Sequence, residues 1–279
     1  MGTSRRRSSS QRVTARDRLL LEFLAEQRLV LAAHVQALLG VSATTALRRL
    51  RALEQAGLVD RDALFVGYPA HYRIRRTGLS LIDSRLPVPR RDFDVRHDIG
   101  VAWLWLAARK GIFGELAEVV SERRMRSHDG VEEHAVRVTG HPARETFGVP
   151  LSGLGAAGRP RLHYPDLLLV DRGGRRIAVE LELSSKGRAR RHRIIGGYAM
   201  DPRIDAVLYL VKDERIAREV QTTARRFGLQ QRVLVQRARV GAGQAPEPGA
   251  VARAPTRGLR RDRTSGTSQG GQQAEELAL

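Results

Sequence analysis

The sequence predicts an α+β protein with a small helix-rich body ahead of a larger body built on a mixed sheet. Three observations lead there. Apolar residues recur at helical spacing between residues 14 and 56. Residues 163–183 read as a hairpin, with Glu180 and Glu182 at alternate positions of its return strand. Apolar strand-like runs then alternate with helical patterns up to residue 236. Leu86-Pro87-Val88-Pro89-Arg90-Arg91 is a stiff break between the bodies. The expected layout is a basic disordered tail 1–12, a first domain 13–86, a linker 87–93, a second domain 94–240 and a disordered tail 241–279. Both tails are too poor in large apolar groups to offset chain entropy.

The first helix is announced by Thr14-Ala15-Arg16-Asp17, a capping box with Asp in place of Glu, followed by Leu19, Leu20, Phe23 and Leu24. A second helix is expected over residues 31–39, with Leu31, Val35, Leu38 and Leu39 inward and Gly40 ending it. Ser42 caps a third, residues 43–56, closed by Gly57 and held by Leu47, Leu50 and Leu53. Thr44, Thr45, Arg48, Arg49 and Arg51 lie largely off that stripe. Leu58-Val59, a turn around Gly67-Tyr68-Pro69 and Tyr72-Arg73-Ile74-Arg75 read as two strands, and Thr77-Gly78-Leu79 opens a short helix.

In the second body a helix is expected over residues 94–111, with His97-Asp98 at its start, capping it in preference to approaching the acidic site. A strand follows over residues 118–122, and the Gly- and Pro-rich stretch 141–162 reads as a long loop. After the hairpin come a basic helix 188–198, a strand 206–211, a helix 216–227 and a strand 232–235.

The hairpin carries the chemistry. A turn centred on Gly173 sets Asp166 opposite Glu180, because paired positions in an antiparallel ladder have a constant index sum. Glu180 and Glu182 share one face, while Val179, Leu181 and Leu183 take the other. Gathered carboxylates repel unless a cation binds or a proton is taken up. Hard oxygen ligands suit Mg2+, which polarises a phosphodiester and acidifies bound water. The converging trio Asp166, Glu180 and Glu182 is therefore the candidate divalent-metal site.

Charge points to a partner. The chain has 279 residues, a formal net charge of +19 and a pI near 11.5. Residues 1–11 carry only +3 of that charge and residues 241–279 only +1, so the excess belongs to the body and suits a polyanion such as nucleic acid. With no cysteine, disulfide scaffolds, thiolate zinc sites and cysteine nucleophiles are excluded. There is no apolar run long enough to span a bilayer and no secretory signal, which sets a cytoplasmic expectation without membrane contact. No Walker pattern, zinc-like histidine pairing or Ser-His-Asp set appears. No tyrosine has a histidine cluster beside it in sequence, so no covalent DNA intermediate is expected.

The order of a short helix, a Gly-containing turn, a basic helix and a hairpin resembles a winged helix-turn-helix domain. The resemblance implies that Thr44, Thr45, Arg48 and Arg49 meet bases and backbone of double-stranded DNA in the major groove, and that Arg73, Arg75 and Arg76 touch phosphate. Pro165-Asp166 and Glu180-Leu181-Glu182 resemble the PD-(D/E)XK nuclease-like motif, over roughly residues 94–236. In that family the Asp and first Glu hold magnesium and the Lys helps activate water; here Glu182 stands at the Lys position, and Lys186 is the substitute at hand, so the resemblance implies Asp166, Glu180 and Glu122 as metal ligands and Asp166, Glu180, Glu182 and Lys186 as catalytic residues. Arg188, Arg190 and Arg191 on the following helix are expected to hold the DNA backbone.

The combination of a winged domain, His97-Asp98, Ser121-Glu122-Arg123, Pro165-Asp166, the run from Val179 to Lys186 and a basic helix reaching Tyr198 resembles the replication-relaxation family. That resemblance implies a DNA-binding role in replication-relaxation or mobilisation of a plasmid or conjugative element. The implied partner is a relaxase or replication initiator, and a homodimer is a further expected arrangement. Two alternatives stand beside it: a Mg-dependent DNA endonuclease, and a winged-helix transcriptional regulator with a non-catalytic second domain.

Overall fold

The computed structural model describes residues 13–63, 69–90, 94–140, 145–155 and 158–238. It is α+β, with helices on both faces of a mixed sheet. Both expected tails, and Gly67 and Tyr68 of the expected turn, lie outside the described residues. No described helix is long and apolar enough to cross a membrane.

The first unit runs α1 (Ala15–Glu26), β1 (Val30–Leu31), α2 (Ala32–Leu39), α3 (Ala43–Gln55), β2 (Val59–Asp62), β3 (His71–Ile74) and α4 (Arg76–Leu81). The capping box forms: Asp17 N donates to Thr14 Oγ1 while Thr14 N donates to the Asp17 carboxylate. Gly40 takes the left-handed conformation that stops α2, at φ 64°, and the Ser42 hydroxyl accepts from Thr45 N to start α3. Leu31 is the end of a strand rather than the start of α2, and its strand makes a third member of the sheet β1-β3-β2. Two expected core leucines point outward, Leu19 at 39% exposure and Leu47 at 36%. In α3 the buried stripe is Ala46, Leu50 and Leu53, spaced i, i+4, i+7, which turns Leu47 away. Gly78 sits inside α4 because a Cβ there would stand 2.4 Å from the Leu58 carbonyl oxygen.

The second unit begins with α5 (Val95–Arg109), β4 (Leu116–Ser121) and α6 (Glu122–Thr139). The cap of α5 is Asp94, whose carboxylate accepts from Arg96 N and His97 N, so His97 and Asp98 are not its cap. Glu122 opens α6 rather than ending a strand, because the Ser121 hydroxyl caps the helix by accepting from Arg124 N. The 18 residues of α6 read as polar sequence, and i,i+4 pairs Glu122–Arg126 and Glu133–Arg137 support them.

Within the expected loop lies an antiparallel pair, β5 (Val149–Leu154) with β6 (Pro160–His163). Its strands are Gly- and Pro-rich and largely exposed, which hid them from apolar patterning. The chain then runs β7 (Leu167–Asp171), β8 (Arg176–Glu182), α7 (Arg188–Met200), β9 (Ala206–Val211), α8 (Glu214–Arg226) and β10 (Val233–Arg237).

The main sheet has the order β10-β9-β8-β7-β4, antiparallel from β4 to β8 and parallel from β8 to β10. One face, with Leu167, Leu169, Ile177, Val179 and Leu181, shares a single apolar cluster with α5 and with Leu20, Phe23, Leu24 and Val35 of the first unit. The other face packs Leu168, Ala178, Val207 and Tyr209 against α7, α8 and Met125 of α6. Helix α5 therefore lies between the first unit and the sheet, and the two units share one apolar cluster.

Candidate functional site

The hairpin register is the one that the index sum requires: Leu167 pairs with Val179 and Val170 with Arg176. Continuing the ladder sets Asp166 beside Glu180, and Asp166 N donates to the Val179 carbonyl at 3.0 Å. Alternation turns Glu180 and Glu182 to the α7 face, where both are 1% exposed. Two carboxylates in such surroundings need partners, and the fold brings them from β6, from α7 and from the loop after β8.

Glu180 Oε1 accepts from the Tyr198 hydroxyl at 2.5 Å and lies 2.5 Å from His163 Nε2. Glu180 Oε2 lies 3.4 Å from Lys186 Nζ. Asp166 Oδ2 accepts from Leu181 N at 2.7 Å and faces His97 Nε2 at 3.2 Å. Glu182 Oε1 accepts from the backbone N of Lys186 at 3.0 Å. Its Oε2 is buried without a hydrogen-bond partner, 3.9 Å from Lys186 Nζ.

The electrostatics follow from these contacts. Burial works against the Glu180 charge, yet His163 and Lys186, with bonds from His163 and Tyr198, hold its carboxyl far below the usual range. Burial pushes Glu182 up, only partly opposed by Lys186. Burial works against a charged His97, but Asp166 and then Asp98 raise it to about 11. Lys186 is raised above the usual ammonium range, its burial outweighed by Glu180, Glu182 and Asp166.

Asp166, Glu180, Glu182 and Lys186 thus come together, as expected. Glu122 does not join them with a free carboxylate. Its backbone N donates to the Asp166 carbonyl at 3.2 Å, but its side chain is held by Arg28 at 2.9 Å and Arg126 at 2.7 Å. Three further members join the centre. His97 takes the less favoured of its two expected roles and reaches Asp166 instead of capping α5. His163 and Tyr198 sit 17 residues before and 18 after Glu180, too far apart for spacing to reveal them. The rings of Tyr198 and His163 do meet, with centroids 5.8 Å apart, but Tyr198 is fully buried. Burial and Glu180 push its phenol well above 10, so it is not presented to DNA as a nucleophile.

Does this centre fit magnesium? The donor chemistry is right, since carboxylate oxygens are hard ligands. The arrangement is not. Glu180 spends both oxygens and Asp166 its Oδ2 on nearby donors, and an ammonium stands between the glutamates. Among the described residues no three His, Asp or Glu side chains gather as a metal-binding group.

The expected DNA contacts divide in two. On α3, Thr44, Arg48 and Arg51 are exposed along one stripe spaced i, i+4, i+7, with Thr45 half-buried beside it. Arg49 lies next to the buried stripe and forks onto Asp17 and Thr14 of α1. Arg73 is 4% exposed and forks onto Asp62 across the β2–β3 pair. Arg75 and Arg76 are exposed, Arg75 near Asp60 at 3.4 Å. On α7, Arg188 and Arg190 are exposed, whereas Arg191 is buried against Glu219, Thr223 and the Lys186 carbonyl. Arg49, Arg73 and Arg191 are therefore structural ion pairs: each sits on the inward side of its element, beside a carboxylate. No protein-family model and no curated protein matches this chain.

Proposed function

We propose that this chain is a cytoplasmic, double-stranded DNA-binding protein, with a winged helix-turn-helix first unit and a PD-(D/E)XK nuclease-like second unit. In this reading it serves replication-relaxation or mobilisation of a plasmid or conjugative element, working with a relaxase or replication initiator. The observation that carries it is α3. Its apolar stripe is buried, its N-terminus is capped, and its outer stripe offers Thr44, Arg48 and Arg51 to solvent. The order helix, strand, helix, helix and two paired strands supports the winged assignment. An α-β-β-β-α-β path through α5, β4, β7, β8, α7 and β9, with Asp166 just before β7 and both glutamates on β8, supports the nuclease-like one. The net charge of +19 supplies sequence-independent affinity.

One observation favours a second reading, a metal-dependent endonuclease: Lys186 returns to the carboxylates although Glu182 holds its motif position. A single experiment separates the two. Protein is added to supercoiled plasmid with and without Mg2+ or Mn2+, beside Asp166→Ala, and binding is followed by gel shift. The expected result is a shift without metal and no nicking. Metal-dependent nicking lost in Asp166→Ala establishes the endonuclease, and absence of any shift removes the DNA-binding reading.

A further inference from the structure

Lysine is rare in this chain. Only Lys110, Lys186 and Lys212 occur among 49 basic residues, and arginine does the rest. One of the three stands in the acidic centre. An ammonium is a compact point charge, whereas a guanidinium is a broad planar fork. Lys186 sets such a point charge 3.4 Å from Glu180 and 3.9 Å from Glu182.

The loop is built to keep it there. Lys186 N donates to Glu182 Oε1, turning the chain back over its own strand. The Lys186 carbonyl accepts from the Arg191 guanidinium at 2.9 Å, and Ser185 Oγ donates to Glu219 at 2.6 Å. The Nζ is therefore held by its backbone as well as by its charge. One feature shows that the space was shaped for a cation: Glu182, with a fully buried side chain, aims its unpartnered Oε2 at Lys186. Buried carboxylates close together are tolerable only if a positive charge stands among them.

We propose that Lys186 is the resident cation of this centre, its ammonium standing where a nuclease-like site would take a divalent ion, so that the carboxylates are held together without metal. His97, on Asp166, supplies the second positive group. The inference rests on the nuclease-like reading of the hairpin, but its test is independent of DNA. Removing the lysine takes the ammonium from between Glu180 Oε2 and Glu182 Oε2 and opens that position to a hard cation.

The test is titration of the full chain with Mn2+, read by electron paramagnetic resonance of the free ion, for wild type, Lys186→Met, Lys186→Gln and Asp166→Asn. Wild type is expected to take up no stoichiometric ion at millimolar Mn2+. Either lysine variant is expected to gain one site at least tenfold tighter than any wild-type binding, and to lose it when Asp166→Asn is added. One tight ion in wild type that disappears in Asp166→Asn overturns the proposal, whether or not the lysine variants fold. Folded lysine variants that gain no site overturn it as well. A gel shift without metal on the same preparations keeps the two readings apart, since its loss counts against DNA binding and leaves the lysine assignment intact.

Discussion

Arg48 and Arg49 are adjacent in sequence and face opposite environments. Arg48 stands in solvent on the outer stripe of α3, while Arg49 closes an ion pair on the buried Asp17. Arg48→Ala is expected to weaken DNA binding and lower the salt slope by about one, since one fewer counterion is released, with thermal stability nearly unchanged. Arg49→Ala is expected to cost about 3 kcal/mol of stability, because it strands a buried carboxylate. Salt-dependent gel shifts and urea melts distinguish the two, and a shared phenotype refutes the assignment. His34 offers a test by pH. It is buried between α1, α2 and α5, its Nδ1 accepts from Leu31 N at 3.0 Å, and it meets the rings of Phe23 and Trp103. Burial lowers its pKa from 6.5 to about 3. The unfolded chain therefore takes up a proton in that window and the folded chain does not, so stability falls as pH drops from about 6.5 towards about 3. In His34→Gln that contribution is absent, and the stability gap to wild type should narrow over the same window; a gap independent of pH rejects the idea.

At the scale of elements, α7 ties the acidic centre together. It brings Tyr198 to Glu180, and it does so by lying close on β5. Gly197 permits that approach: a Cβ there would stand 2.9 Å from the Pro150 carbonyl oxygen and from Leu151 Cδ2. Gly197→Ala is expected to push α7 off the β5–β6 pair, at a cost of about 1–3 kcal/mol. The displacement should reach Tyr198, visible as a changed near-ultraviolet dichroism. Unaltered stability in a urea melt would show that the contact has slack. The β5–β6 pair, read from sequence as loop, is thus the platform on which α7 rests, and it also delivers His163.

For the whole molecule, the decisive feature is the apolar cluster that runs from α1 and α2 through α5 to the sheet. Polar contacts reinforce it: Arg28 with Glu122, Ser121 with Glu26, and Arg123 with the carbonyls of Ala25 and Pro87. Units sharing a core of this kind unfold together. Scanning calorimetry is expected to show one transition over both units, and Trp103→Ala to lower the stability of the whole by about 3–5 kcal/mol. Two separated transitions would mean that the stiff proline-rich segment marks a true domain boundary.

Local chemistry was legible in the sequence. The caps Thr14 and Ser42, the stop at Gly40 and the pairing that sets Asp166 beside Glu180 each depend on a few neighbouring residues, and all are found. The acidic cluster could be read for the same reason, since strand alternation and a turn position set it. Tertiary structure decided everything in which a charge chooses a partner. Arg49, Arg73 and Arg191 look like surface cations in sequence, but each meets a carboxylate on another element or strand and is drawn inward. His97, His163 and Tyr198 come to the acidic centre from α5, β6 and α7, across separations that carry no periodic signal. Burial makes an uncompensated charge costly, so the identity of the compensating group is settled only once the chain has closed around it.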